Sequence, residues 1–122
     1  MENREFASDL AVAFWFLDEY GQALEILKWA EPSTANDWLH AELLFASRRY
    51  VEALELLNHL EVKYVNDPEA TFSVSYIRAQ CLRGLGQQAA ALEILRSIVR
   101  IRPNYRSANA LILAWTEGGA WE

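Results

Sequence analysis

A five-residue segment recurs in this chain: alanine, leucine, glutamate, then isoleucine or leucine, then leucine. Its three copies begin at Ala23, Ala53 and Ala91, so they stand 30 and 38 residues apart. An internal repeat close to this period is typical of stacked helical hairpins, because a single hairpin cannot bury its apolar face alone. The repeat therefore predicts an all-α chain that offers a groove to another chain rather than a pocket for chemistry.

The composition predicts one domain that spans residues 1–122. The chain is 52% hydrophobic and 23% charged, which is enough for a moderate core. Its net charge of −6 argues against nucleic acid as the main partner, because phosphate binding needs a basic surface. Residues 1–61 carry four Lys or Arg and twelve Asp or Glu, whereas residues 62–122 carry seven and five. This polarity could orient a partner, or it could reflect ordinary solvated helix faces.

Cysteine content and hydropathy predict a cytoplasmic protein without membrane insertion. Cys81 is the single cysteine, so no internal disulfide can form and a reducing compartment fits. The apolar run Leu10–Leu17 lies between Asp9 and Asp18. It is too short to span a membrane, and its flanks are wrong for a secretory signal.

Start and stop signals divide the chain into seven predicted helices. Asp67, Pro68 and Glu69 supply an N-cap, a proline at the first helical position and an acid in the first turn. Pro32 and Pro103 each follow a helix that they cannot continue. The predicted spans are 5–17, 20–30, 36–47, 50–64, 68–84, 87–101 and 104–117.

Small and aromatic residues recur at matching places in the three hairpins. Small residues stand in the first helices, tyrosines near two turns, alanines early in the second helices and a proline at the end: Ala11, Ala41, Ala79, Tyr20, Tyr50, Ala23, Ala53, Ala91 and Pro103. In this pattern and period the chain resembles the tetratricopeptide repeat family. The resemblance implies a right-handed α-solenoid with repeats at 4–33, 34–67 and 68–104 and a C-terminal capping helix at 104–117. A plain helical bundle is the alternative.

The family lines its concave groove with the first helix of each hairpin. The resemblance therefore implies nine partner-binding residues: Ser8, Val12, Trp15, Trp38, Glu42, Phe45, Tyr76, Gln80 and Arg83. Four are aromatic, and large rings are favoured interface anchors. The alternative is that several rings turn inward as core. The set lacks the basic clamp with which some members hold acidic chaperone tails, so we expect an apolar helix or extended segment as ligand.

The first helix poses a separate problem of coverage. Residues 11–17 are apolar on every side of a helix, and such a helix must be covered on every side. Either a second copy covers it, which would give a homodimer, or a partner chain does; we slightly favour the partner. Trp115 and Trp121 are candidates for capping the other end of the chain.

Residues for catalysis, metal binding or cofactor binding do not assemble in the sequence. His40 and His59 lie on different helices, and with one cysteine no cluster has metal-ligand spacing. The segment 84–86 has two glycines but lacks the lysine of a phosphate loop. Cys81 occupies a position that is usually packed inside. We therefore expect no catalytic residue, no cofactor and no metal, and hence not an enzyme.

Size, acidity and groove character together predict a small adaptor or chaperone. In these respects the chain is similar to small bacterial secretion chaperones, including those for needle or translocator subunits of type III systems. That similarity implies a cytoplasmic protein that masks apolar helices of its cargo until export. The alternative is a scaffold that bridges folded components of a regulatory, polarity or envelope complex. A chaperone's cargo is insoluble or polymerises alone, whereas a scaffold's partner is soluble without it.

Overall fold

Seven α-helices make up the chain in the computed structural model, which describes the backbone of residues 2–118 and the side chains of residues 7–116. No strand occurs in the described backbone, so the all-α prediction and the number of helices are confirmed. The helices are α1 (Glu2–Phe16), α2 (Tyr20–Leu27), α3 (Thr34–Ala46), α4 (Tyr50–Lys63), α5 (Pro68–Gly84), α6 (Gln88–Ile101) and α7 (Ala108–Gly118).

The chain forms two compact units, Met1–Leu56 and Leu57–Glu122, which we call unit 1 and unit 2. The division falls inside α4. In unit 1, α1 packs on α2 and α2 on α3; in unit 2, α5 packs on α6 and α6 on α7. Helices adjacent in sequence are thus adjacent in space within each unit, as in a chain of hairpins.

Three helix boundaries differ from prediction by more than two residues: α1 begins at Glu2 rather than at 5, and two others differ for reasons visible in the backbone. The second helix ends at Leu27 rather than at 30, because the next three amides bond three residues back instead of four. The last helix begins at Ala108 rather than at 104. Residues 103–107 form turns, with Arg106 at a φ of 41°, and the Tyr105 amide bonds the Arg102 carbonyl at 3.1 Å.

Three helices end in the same backbone motif, and they are the first helices of the three predicted hairpins. In each motif an amide reaches back five residues to a carbonyl, as in a Schellman cap. The pairs are Glu19 to Phe14 at 2.8 Å, Arg49 to Leu44 at 2.9 Å and Gln87 to Leu82 at 2.9 Å. These caps recur at the same intervals of 30 and 38 residues as the repeated segment, so the repeat is present in the backbone as well as in the sequence.

One residue of each cap adopts the left-handed conformation. It is Asp18 at a φ of 59°, Arg48 at 63° and Gly86 at 85°. Only glycine takes this conformation without steric cost from a Cβ atom. The first two turns therefore contain a small backbone strain that the third turn avoids.

The alanines of the repeat are among the most buried residues of the structure. All six are fully buried, with 0% of their surface exposed: Ala11, Ala41, Ala79, Ala23, Ala53 and Ala91. A methyl group at these points lets neighbouring helices approach closely, and larger side chains fill the space beside them. The burial of all six agrees with a packing role for these positions. The stacking of the hairpins into a solenoid remains a prediction.

Unit 2 has a continuous core that its last helix completes. Trp115 of α7 packs with Leu95 and Ile98 of α6 and with two of the buried alanines. Trp115 is only 8% exposed, and its backbone carbonyl accepts a hydrogen bond of 2.8 Å from Gln88 Nε2. Trp115 is therefore part of the unit 2 core, and its role as a cap of the last hairpin stays a prediction. Trp121 lies outside the described residues.

Candidate partner-binding site

The face of α1 that bears Ser8, Val12 and Trp15 contacts α3 at its N-terminal end. Ser8 Oγ donates a hydrogen bond of 3.0 Å to Asn36 Oδ1. Asn36 donates two further hydrogen bonds. Its backbone amide donates to the hydroxyl of Ser33, the N-cap of α3, at 3.1 Å, and its Nδ2 donates to the Glu31 carbonyl at 2.6 Å. These hydrogen bonds hold the N-terminal end of α3 in place beside α1, so the two helices together form one surface.

A cavity of about 380 Å³ lies between these two helices and is called the α1–α3 cavity below. Four of the six partner-binding residues predicted in unit 1 line it, together with Asp9 and Asn36. The four are Ser8, Val12, Trp38 and Glu42. Residues that the family resemblance implies for two different helices thus line one concave place.

A second cavity, of about 480 Å³, lies at the end of α1 and is called the α1-end cavity. Val12, Trp15, Phe16 and Asp18 line it. Val12 lines both cavities, so they adjoin, and we call the two together the unit 1 groove. Phe16 was not among the predicted residues, and its side chain is 85% exposed. The apolar run in α1 was the signal that could have identified it.

Asp18 has a defined position at the edge of the α1-end cavity. Its backbone is the left-handed residue of the first helix cap, and its Oδ1 accepts a hydrogen bond of 3.0 Å from the Tyr20 hydroxyl. This bond to the carboxylate is the main reason that the pKa of Tyr20 is raised. The cap and the tyrosine together hold a negative charge beside an apolar surface.

Phe45, the remaining predicted residue of unit 1, packs against the following helix. Its ring lies 6.0 Å from that of Tyr50, with the ring planes tilted by 48°. Phe45 is half-buried. It thus supports the turn between α3 and α4 as well as forming part of the predicted surface.

The three predicted residues of unit 2 are half-buried, and the chain that follows α6 contacts two of them. Tyr76 meets the ring of Tyr105 edge-on at 5.6 Å and packs against the core. The Arg83 guanidinium lies 5.3 Å from the Trp115 ring. Gln80 Nε2 bonds the carbonyl of Tyr76 at 3.3 Å. The Tyr76 ring therefore packs against the core, which is the alternative given for these aromatic residues in the sequence analysis.

Two arginines beyond α6 extend this coverage along α5. The Arg102 guanidinium stacks 4.3 Å from the Phe72 ring and pairs with Glu69. Arg106 lies 5.3 Å from the Tyr76 ring and donates a hydrogen bond of 3.2 Å to Ser73 Oγ. These stacks were not predicted from the sequence. Arginines four residues apart and aromatics four residues apart were a weak signal for them.

Much of the α1 surface away from its buried side is apolar and exposed. Leu10 is 47% exposed and Leu17 69%, and Phe16 is more exposed than either. The buried side of the helix is formed by Ala7 and Ala11. Residues 11–17 are predicted from the sequence to need a cover on every side. Which molecule supplies that cover, a partner or a second copy, stays a prediction.

The Cys81 thiol is fully buried, as expected from its position. Burial raises its pKa to about 11, which disfavours the reactive thiolate. Among the described residues, no three His, Cys, Asp or Glu side chains gather as metal ligands would. Within the same part of the chain, none of the helices is both long enough and apolar enough to cross a membrane.

Comparison with known proteins adds no relative. No protein-family model matches the chain, and no curated protein or solved structure matches it.

Proposed function

We propose that this chain is a non-catalytic protein-interaction module that binds an apolar segment of another protein in the unit 1 groove. The observation that carries the proposal is the pair of adjoining cavities lined by Val12, Trp15, Phe16 and Trp38. Concave apolar surfaces of this kind commonly mark binding sites. In the same proposal the three hairpins stack as a right-handed tetratricopeptide-like solenoid, supported by their matching caps and buried alanines.

The energetic case rests on exposed apolar area. Phe16 and Leu17 are largely exposed in the free chain, and Val12 is 36% exposed. Burying one such side chain on association contributes about 1.5–3 kcal/mol, before the cost of ordering the partners. Two tryptophans beside them supply wide, rigid contact area. A few such contacts are enough for a specific complex.

The biological role that fits this surface best is that of a cytoplasmic chaperone, which covers an apolar helix of its cargo until that cargo assembles or is exported. The support is the apolar groove in a small acidic chain. Under this proposal the partner is insoluble or polymerises when expressed alone. A partner that is folded and soluble without the chain would instead favour the scaffold function.

Site-specific photocrosslinking in the native host tests the binding surface directly. A benzophenone amino acid replaces Phe16, whose exposure makes the change compatible with folding. The matched control carries it at Ile101 in unit 2, a side chain that is 71% exposed. We expect one dominant crosslinked protein from position 16 and not from position 101. Equal crosslinking from both positions would contradict the proposal. Mass spectrometry identifies the crosslinked protein. Whether that protein is soluble when it is expressed without this chain then decides between chaperone and scaffold.

A further inference from the structure

The unit 1 groove has carboxylates at its edges. Asp9 and Glu42 line the α1–α3 cavity from opposite helices, and Asp18 lines the α1-end cavity. Among the described residues that line either cavity, none is lysine or arginine. The apolar floor is thus bordered by negative charge on more than one side.

The other charged residues of unit 1 add to this negative charge rather than cancel it. Side chains 7–56 include nine Asp or Glu and three Lys or Arg, whereas side chains 57–116 include four and seven. Lys28, one of the three basic residues of unit 1, lies on α2's C-terminal side and pairs with Glu25 at 3.0 Å. The other two, Arg48 and Arg49, lie in the turn after α3. Unit 1 therefore presents a negative potential to an approaching chain.

From this charge distribution we infer that the occupant of the unit 1 groove is a cationic amphipathic helix of another protein. The inference rests on the proposed function and adds the chemistry of the ligand. The helix would lay its apolar stripe against Val12, Trp15 and Trp38. Lysines or arginines flanking that stripe would reach the carboxylates at the edges, because their long stems cover apolar surface while their charges stay in water.

A second copy of this chain fits the groove less well. In a two-fold symmetric dimer the same patch meets itself. The carboxylates of Asp9 and Asp18 would then approach identical carboxylates of the other copy, and the described side chains of α1 include no basic residue. Like charges across an interface oppose association.

Three synthetic helical peptides test the inference, with the purified full chain as receptor. They share one leucine stripe and differ only at the flanking positions, which are lysine, glutamine or glutamate. We expect the lysine peptide to bind about ten-fold more tightly than the glutamate peptide at low salt, since each exposed ion pair contributes modestly. The difference should shrink in about 0.5 M salt, because screening shortens the reach of surface charges. Fluorescence anisotropy of labelled peptides measures both.

Paired variants locate the charges that matter. Asp9→Asn with Glu42→Gln should weaken the lysine peptide several-fold and leave the glutamine peptide unchanged. The control, Glu52→Gln with Glu55→Gln, removes the same charge from exposed positions on α4 and should have less effect on the lysine peptide. Circular dichroism confirms that each variant folds. Equal weakening by both pairs would overturn the inference, since the peptide would then respond only to net charge.

The peptides also separate this inference from the function on which it rests. If all three bind equally and Phe16→Ala weakens all three, the groove binds apolar helices and the cationic inference is wrong. If the lysine peptide binds the wild type and Phe16→Ala alike, it binds outside the groove and the inference is wrong as well. If Phe16→Ala leaves every peptide unaffected and the crosslinker at position 16 captures no protein, the proposed function itself fails. Light scattering that shows a stable dimer at low concentration would identify the second copy as occupant and overturn the inference.

Discussion

Unit 1 and unit 2 use the same repeated caps and buried alanines but treat the exposed face of their first helices differently. In unit 1 the helix α1 leaves Val12, Phe16 and the groove around them open. In unit 2 the corresponding face of α5 contacts Tyr105, Arg106 and Trp115 from the following chain. A repeat can therefore set the backbone of two regions alike, while the residues outside the repeat decide whether a face stays open to a partner or is covered.

The charge contrast follows the same division. The described side chains of unit 1 have a balance of −6, and those of unit 2 a balance of +3. In unit 2 part of the positive charge has a structural use, because Arg83, Arg102 and Arg106 lie over aromatic rings. Such contacts stabilise a partly desolvated guanidinium. In unit 1 Asp9 and Glu42 line the groove from two helices, and we assign them to the partner.

The largest expected effect comes from the tryptophan that closes unit 2. Trp115→Ala should cost about 3–5 kcal/mol of stability, because it removes a buried indole from the core. The control, Trp29→Ala in unit 1, changes a side chain that is 72% exposed and should cost little. Urea unfolding measures both. Equal losses of stability would contradict the comparison, because the exposed Trp29 would then contribute as much to the folded state as the buried Trp115.

The next effect tests the close approach of helices in the repeat. Ala91→Trp should destabilise the chain by about 1–3 kcal/mol or more, because a fully buried methyl position has no room for an indole. Ala90→Trp places the same ring on the exposed neighbour in the same helix and serves as control. Thermal unfolding followed by circular dichroism distinguishes them. Similar melting temperatures for the two variants would show that the repeat alanines are not tight packing positions.

The helix caps allow a smaller and more selective test. Gly86→Ala should cost about 1 kcal/mol, because Gly86 has a φ of 85° and a Cβ there is strained. Apart from its two chain neighbours, no residue comes within 4 Å of that added Cβ, so the cost comes from the local backbone. Arg48→Gly, at the equivalent position of the second cap, should instead leave stability unchanged or raise it by a few tenths of a kcal/mol. A gain in stability from Gly86→Ala, or a clear loss from Arg48→Gly, would contradict the equivalence of the two caps.

The smallest effect at neutral pH concerns the buried thiol. Because burial raises the folded-state pKa of Cys81 to about 11, its contribution to stability is complete below pH 9 and declines as the pH rises towards 11. The difference in unfolding free energy between wild type and Cys81→Ala should therefore be constant near neutrality and narrow above pH 9. Urea unfolding at pH 7, 9 and about 10.5 measures it. A difference that does not depend on pH would mean that the thiol is accessible in the folded chain.

Local signals predicted the secondary structure well where they act through nearby backbone. Asp67 caps α5 by accepting a hydrogen bond of 3.0 Å from the Glu69 amide, as the Asp-Pro-Glu order indicated. The start of the last helix was placed at 104 because Pro103 ends the preceding helix. The intervening turns depend on Arg106, whose left-handed backbone and contacts with Tyr76 and Ser73 have no local signature.

The candidate site shows the same limit at longer range. The family resemblance grouped Ser8 and Val12 with Trp38 and Glu42, and all four line one cavity. The same resemblance placed Tyr76 and Arg83 on an open groove, yet residues of the following segment contact both. A periodic pattern identifies which residues share a face. It does not identify which later segment covers that face.

By itself the sequence determined the class and the repeat of this protein: seven helices, three equivalent caps and six alanines at the closest packing positions. These follow from interactions over a few residues, hydrogen bonds within a helix turn and the size of a side chain, which recur wherever the same residues recur. Only the tertiary structure decided that the segment after α6 covers the aromatic face of unit 2 while the face of α1 stays exposed. Coverage depends on where a distant segment of the chain packs, and that contact is not encoded in any local period.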